Sequence, residues 1–179
     1  TPYTARIDSD DWWHPSKLQK QMAFLENHPE YGVIGSHYQN VFGEKTKDIH
    51  TPETDQEIKK LIFGYNPFGH SAVVFATKLV KTAGGYDESI YYGQDYELWL
   101  RLLPQTKFYN LPEILCYRTG DSGISKERQN EQILQYMKTQ WKYVRRYKYP
   151  LGTYLNFIRP LLVLLSPQWL KNIKYRLSL

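Results

Sequence analysis

One cysteine, Cys116, is all the chain holds in 179 residues, so no internal disulfide can form. The fold must rest on its core, and such sparse cysteine fits a reducing compartment. Long hydrophobic runs are missing too. FIRPLLVLLSP is broken by Pro160 and Pro167 and falls short of the about 20 apolar residues that span a bilayer. Repeats and low-complexity tracts are absent, which excludes solenoids. There is no glycine-rich phosphate cradle, which argues against a phosphotransferase. TPYTARIDSDD has neither the basic nor the apolar region of a secretory signal, and it begins without Met. Finally, acid is missing from the last part of the chain. From Gln132 onward nine Lys/Arg meet no Asp or Glu (+9), whereas up to Glu131 there are 14 against 18 (−4), summing to the net +5.

What remains is a chain that is 41% hydrophobic, enough to bury one core. TPYTARID reads as a short strand ending at carboxylates. Pro15 suits a first helical turn, Leu18, Met22 and Leu25 recur at helical spacing, and Asn27-His28-Pro29 closes that helix. YGVIGSHYQNVF reads as a strand turning at Gly43. TDQEIKKLIF reads as a helix capped by Thr54 with Glu57 three residues on. HSAVVFA reads as an apolar strand, Thr77 to Thr82 as a helical turn closed by Gly84-Gly85, and QDYELWLRLL as a helix with Glu97 and Arg101 one turn apart. A further strand is expected around Ile114 to Tyr117, then the loop TGDSGIS, a long basic helix to Tyr149, and a basic, apolar tail. Alternating strands and helices imply an α/β fold, a mixed sheet flanked by helices with a C-terminal helical tail.

The sharpest local feature is ARIDSDDWWHP, where Asp8, Asp10 and Asp11 crowd between Ile7 and Trp12-Trp13. Adjacent carboxylates repel and resist burial unless something neutralises them. One reading is a solvated turn with Asp11 capping the next helix. The other is a divalent cation: Mg²⁺ or Mn²⁺ takes oxygen ligands, and Mg²⁺ is commonly held by one or two carboxylates plus substrate phosphates. A strand ending in Asp-x-Asp would put such a pair at the carboxyl edge of a sheet, where open α/β sheets bind ligands. A calcium loop counted from Asp8 fails, since Trp13 and Gln19 stand where Gly and Glu are required.

ARIDSDDWWHPSKLQKQMAFLENHPEYGVIGS resembles the central stretch of bacterial glycosyltransferase family 2 enzymes: an acidic strand end, a P-x-x-L-x-x-Q helix, then a Pro and a Gly in the following strand. NPFGHSAVVFATKLVKTAGGYDES and GQDYELWLRLL resemble two later segments of the same family, the second with Gln94 where an acid is usual. The resemblance runs in consistent order over residues 3 to 125. It implies a partial GT-A, Rossmann-like fold and inverting transfer from a nucleotide-diphospho-sugar to a carbohydrate or lipid-linked acceptor. It makes Asp8 and Asp10 the Asp-x-Asp pair, Asp10 the metal ligand and Asp8 its neighbour at the ribose or diphosphate, and it makes Asp95 the catalytic base. Asp95 alone would read as a helix cap. Gln94, a neutral amide, removes any auxiliary charge there.

Other residues carry two readings each. His70 is a core histidine or a contact to acceptor or diphosphate. Arg118 is a surface arginine or a phosphate ligand. Trp12 and Trp13 are core residues or a platform under a sugar ring. The family's opening strand, its Pro-x-x-Asn turn and the units that grip the nucleobase are not in these residues. The expectation is a fragment of a longer enzyme, with residues 1–125 the C-terminal part of a GT-A domain and 126–179 a helical tail. The fragment is expected to bind nucleotide-sugar weakly. The tail's basic residues accompany an apolar run and no nucleic-acid module. Peripheral contact of 151–179 with the inner face of the plasma membrane is therefore expected, with Trp169 and Tyr175 at headgroup level, and nucleic acid is not. The expected process is bacterial surface polysaccharide synthesis. A non-catalytic membrane- or partner-binding module derived from such an enzyme is the alternative.

Overall fold

The computed structural model describes residues 1–120 and 128–166. The chain divides into two compact units, Thr1–Gly123 and Ile124–Leu179. In the first, β1 (Tyr3–Ala5) and β2 (Trp12–Trp13) precede helix α1 (Lys17–Asn27). Then come β3 (Tyr31–Phe42), β4 (Lys45–Ile49), α2 (Asp55–Leu61), a 3-10 turn (His70–Ala72), β5 (Val74–Ala76), α3 (Thr77–Thr82), α4 (Gln94–Leu102) and β6 (Lys107–Thr119). The strands form one mixed sheet in the order β1-β5-β3-β6-β2, with β4 paired to β3. This is the partial GT-A architecture, a mixed sheet flanked by helices.

β3 is the axis of the sheet. β6 runs parallel along it from Tyr31↔Lys107 to Val41↔Thr119, and β5 and β4 pair antiparallel with its first and second halves. Gly32 to His37 are buried without a break, as a strand covered on both faces must be. Close packing dictates Gly35, where an added Cβ would lie 2.0 Å from Asn110 Oδ1 and 2.9 Å from Phe68 Cδ1. Asn110 in turn donates through Nδ2 to Pro52 O (2.7 Å) and Pro67 O (3.1 Å), holding two loops against β6. His37 is a core histidine: its Nδ1 accepts the Thr51 N–H at 3.2 Å, and burial pulls its pKa down.

Several elements depart from the sequence reading for identifiable reasons. β6 spans thirteen residues rather than a core around Ile114 to Tyr117. Its pairing jumps from Ser36↔Leu111 to His37↔Ile114, so Pro112 and Glu113 bulge out of the ladder and hide the strand's period. β4 is a charged edge strand, KTKDI, turned back through Gly43 (φ 60°) and Glu44. β1 stops at Ala5, short of the carboxylates, and His70–Ala72 is a 3-10 turn rather than strand. The buried stripe of α1 is Lys17, Gln21 and Leu25, whereas Leu18 is exposed. Gln21 is a cross-link, its Nε2 donating to Gly35 O (3.1 Å) and Ala72 O (2.8 Å).

α4 is buried on nearly every side. Tyr96, Leu98, Trp99, Leu100 and Leu102 are inaccessible, and Trp99 meets Phe68 and Phe75 edge-on or tilted. A helix so enclosed holds its first turn in a fixed place.

The second unit contains α5 (Gln129–Arg146), a 3-10 segment (Leu151–Phe157) and α6 (Ile158–Leu165). α5 ends earlier than its sequence suggests. Lys148 turns left-handed (φ 52°), and the Tyr149 N–H donates to Val144 O at 3.1 Å, a bond that closes helices even where glycine is lacking. The Trp141 ring lies 5.7 Å from Tyr154 and 5.8 Å from Phe157. Among the described residues no helix is long and apolar enough to cross a membrane. Most of TGDSGIS, as well as Trp169 and Tyr175, lies outside the described residues.

Candidate active site

The crowded carboxylates sit on one turn and part company there. Asp8 to Asp11 close it with the Asp11 N–H donating to Asp8 O at 3.2 Å. Asp11 points inward, its carboxylate only 5% exposed. It accepts the Thr119 N–H (3.0 Å) at the end of β6 and the Ser71 hydroxyl from the 3-10 turn. Asp11 does not cap α1, whose N-cap is Ser16. Asp8 is 36% exposed, with Arg6 Nη2 at 2.8 Å on Oδ1 and His70 Nδ1 at 3.7 Å from Oδ2. Asp10 stands exposed at the tip, its backbone carbonyl accepting the Thr119 hydroxyl.

Ser71 is the pivot of this arrangement. Fully buried, its Oγ accepts the Asp8 N–H at 3.0 Å and its carbonyl accepts the Trp13 indole N–H at 2.7 Å. Trp13 is thus built into the fold, with Lys17 Nζ 4.1 Å above its ring. Trp12, on the other side of β2, is 46% exposed and stacks on Tyr117 with centroids 5.6 Å apart.

Asp95 lies in the first turn of α4, but it is not that helix's cap. The N-cap is Gly93, left-handed at φ 71°, with no side-chain capping bond. The half-buried Asp95 carboxylate instead accepts Asn66 Nδ2 at 2.8 Å through Oδ2. Gln94 beside it is half-buried. Between the two acidic positions stands Tyr86. Its hydroxyl is 3.2 Å from His70 Nε2. Burial, then the charges of Asp95 and Asp8, push its pKa up to about 12, with Arg6 opposing them. The Tyr86 hydroxyl therefore feels the charges of both Asp8 and Asp95, and His70 links it to Asp8. Arg101 fixes the loop that carries Tyr86: its Nη2 donates to Gly85 O at 2.7 Å and its Nη1 to Ala83 O. Arg118 Nε is 3.9 Å from Asp11 Oδ2 and is buried with no hydrogen-bond partner, while the guanidinium lies over the Tyr38 ring at 5.1 Å.

Arg6, Asn66, Ser71 and Tyr86 complete the site and were not singled out from sequence. Asn66 and Tyr86 stand inside the quoted stretches NPFGHS and GGYDES, but nothing in their spacing marks them.

The family model for glycosyl transferase family 2 matches residues 1–79. Those residues are family 2 glycosyltransferase sequence. An uncharacterized glycosyltransferase of Haemophilus influenzae is 35% identical over 153 residues, covering 82% of this chain and 54% of that protein. An O-antigen biosynthesis glycosyltransferase of Escherichia coli, WbnJ, is 34% identical over 127 residues, covering 68% of this chain and 49% of its own length. The chain thus spans about half the length of these two glycosyltransferases. The crystal structure of S. aureus TarS 1-349 in complex with UDP superposes with a TM-score of 0.53 at 18% identity, over 77% of this chain and 40% of that one. At that identity the likeness is one of fold.

Among the described residues no three His, Cys, Asp or Glu side chains enclose a metal position. The donors present still suit Mg²⁺ or Mn²⁺ held jointly with a substrate. Asp11 is spent on the fold, while Asp10 offers an exposed carboxylate and Asp8 a half-exposed one, the oxygen donors that such an ion shares with phosphates.

Proposed function

We propose that the protein carrying this chain transfers a sugar, with inversion, from a nucleotide-diphospho-sugar to the hydroxyl of a carbohydrate or lipid-linked acceptor. The reaction belongs to surface polysaccharide assembly at the inner face of the membrane. The observation that carries the reading is the chain from Asp8 through His70 to Tyr86, with His70 Nδ1 3.7 Å from Asp8 Oδ2 and its Nε2 3.2 Å from a hydroxyl that also feels the Asp95 charge. Diphosphate chemistry would sit on the Asp8–Asp10 turn and proton removal at Asp95. The kinship with an O-antigen glycosyltransferase supports the polysaccharide setting, and the UDP held by TarS supports a nucleotide diphosphate in this fold.

In this reading Asp95 is the general base. Asn66 engages one oxygen of its carboxylate and orients the other toward the acceptor hydroxyl, whose proton it takes as that oxygen attacks the sugar. A buried helix supports that carboxylate, so its position is set before substrate arrives. Asp10 and Asp8 would hold Mg²⁺ or Mn²⁺, which when bound offsets the charge gained by the departing diphosphate. His70, held between Asp8 and Tyr86, faces the same diphosphate, and Arg118 offers its unpartnered Nε–H to a phosphate oxygen. Trp12, with its exposed ring, is the sugar platform, since Trp13 is committed to Ser71 and Lys17.

The test is Asp95→Asn, assayed as nucleotide release across a panel of nucleotide-diphospho-sugars with Mn²⁺. Transfer is expected to fall at least about a hundredfold with unchanged circular dichroism and donor affinity. Undiminished turnover would remove Asp95 from its role. The second reading, a non-catalytic binding module, is favoured by the amide at Gln94 where the family usually has an acid. It prevails if donors bind and none is consumed.

A further inference from the structure

The second unit carries an apolar stripe that its own fold leaves uncovered. Leu155, Ile158, Leu162 and Leu165 follow one another at steps of three, four and three, and each is between 50% and 81% exposed. A step of three aligns side chains in the 3-10 segment, and steps of three and four do so in α6, so these four share one side, whereas Leu151 lies on the side of Tyr154 and Phe157. The opposite side is occupied, because Tyr154 and Phe157 pack on Trp141. The segment therefore sorts its residues, aromatic toward α5 and aliphatic outward. Single exposed leucines need no explanation, but an aligned row of them marks an interaction surface.

Charge narrows the choice of partner. Lys142, Arg145, Arg146, Lys148 and Arg159 are all exposed on this unit, and from Gln132 onward the sequence has no acid to balance them. Two copies meeting stripe to stripe would set one basic surface against another, since α5 carries four bases against one acid, Glu131. Nucleic acid would satisfy the bases and leave the leucines in water. An anionic lipid surface satisfies both, the headgroups taking the bases and the acyl boundary taking the leucines. Leu151 to Leu165 is fifteen residues, about 26 Å with the 3-10 and α-helical rises of its two parts, and no described helix is long and apolar enough to cross a bilayer.

We propose that the stripe from Leu155 to Leu165 beds into an anionic membrane surface, with the segment lying in the headgroup plane. This deepens the membrane setting stated above and is independent of the transfer chemistry. The test is sedimentation of the full chain with vesicles of phosphatidylcholine, with and without phosphatidylglycerol. The chain should pellet with the anionic vesicles and stay largely in solution with the neutral ones. Leu155→Glu with Leu162→Glu should weaken vesicle binding by at least about tenfold. Arg145→Gln with Arg146→Gln and Arg159→Gln should weaken binding to anionic vesicles alone. Equal recovery in the supernatant with and without phosphatidylglycerol would overturn the proposal. So would a dimer, seen by light scattering, that the leucine variant dissolves. Transfer to a water-soluble acceptor should survive the leucine substitutions, so failure at the membrane and failure of the glycosyltransferase reading remain distinct.

Discussion

Replacing Lys17 with methionine should stabilise the protein at neutral pH, and the gain should fade as the pH rises. Lys17 opens α1 with its side chain wholly enclosed and its Nζ without a hydrogen-bond partner. Its one favourable neighbour is the face of Trp13, 4.1 Å away. Burial pulls the amine's pKa from 10.5 down to about 8, with Cys116 acting the other way. At about 1.36 kcal/mol per pH unit, that gap corresponds to roughly 3 kcal/mol of stability lost to keeping the charge inside. Methionine fills a similar volume without the charge, and the lost cation–π contact returns about 1–2 kcal/mol. The net gain at pH 7 is then about 1–2 kcal/mol.

The sign of the pH dependence follows from the lowered pKa. Above pH 10.5 the amine is neutral in both folded and unfolded chains, and burial costs no charge. Between about 8 and 10.5 the unfolded chain holds a proton that the folded one has released, so wild-type stability climbs with pH. Below about 8 both are charged and the full cost stands. Cys116 works against this climb. Burial pushes its thiol from 9.0 up to about 12, so above pH 9 the unfolded chain loses a proton that the folded one keeps, and stability falls. Lys17 lowers the Cys116 pKa, so its loss pushes the thiol further up, but at pH 9.5 the folded thiol keeps its proton in both proteins and its contribution to the comparison largely cancels. Urea unfolding followed by the fluorescence of the buried Trp99 should give the variant its advantage at pH 7. By pH 9.5 wild type should have recovered about 2 kcal/mol, closing the gap. A destabilised variant at pH 7, or a difference that does not change with pH, would refute the reasoning.

Two further substitutions separate fold from chemistry. Arg101→Met should cost about 3–5 kcal/mol, read from the same unfolding curves, because it removes the guanidinium from the buried Glu97 carboxylate and frees the Ala83 and Gly85 carbonyls. A loss under about 1 kcal/mol would show the pair to be dispensable. Asp11→Asn should cost about 1.5–3 kcal/mol by weakening charge-assisted bonds from Thr119 and Ser71, while Asp10→Asn should leave unfolding unchanged and weaken donor binding in calorimetry with Mn²⁺. Equal effects of the two on stability would refute the division of labour.

Much of the frame was legible because it obeys local rules. The Thr54–Glu57 capping box forms as its spacing implies, with the Glu57 N–H on Thr54 Oγ1 at 3.3 Å and the Thr54 N–H on Glu57 at 3.1 Å. The Glu97–Arg101 pair forms at 2.7 Å. What escaped was set by contacts distant in sequence. α1 shows Leu18 and Met22 at the right spacing, yet buries Lys17 and Gln21, because the backbone carbonyls of Gly35 and Ala72 lie where Gln21 can reach them. β6 hid behind Pro112 and Glu113, which leave the ladder as a bulge that no period of two can reveal. Tyr86 and Asn66 were invisible as site residues because a tyrosine and an asparagine acquire meaning only from the groups folded beside them, His70 and the Asp8 and Asp95 charges for Tyr86 and the Asp95 carboxylate, 29 positions on, for Asn66.

The crowding of Asp8, Asp10 and Asp11 has a physical resolution in this arrangement. Like charges on one turn repel least when they are given different surroundings. Asp11 turns inward onto a backbone N–H and a buried hydroxyl, Asp8 is matched by Arg6, and Asp10 is left to water. The inward residue ties the turn to the end of β6 and to the 3-10 turn at Ser71, so the other two are carried on a fixed base. Trp13 and Lys17 belong to the same scaffold, the indole bonding Ser71 and the amine lying over the indole. A buried lysine four residues beyond that turn's tryptophans, its amine without a hydrogen-bond partner, costs stability, and the face of Trp13 is what the fold sets against its charge. Neutralising Lys17 should therefore raise stability and, if its field reaches the turn, also shift the metal dependence of donor binding. An unchanged Mn²⁺ titration in Lys17→Met would confine the lysine's role to packing.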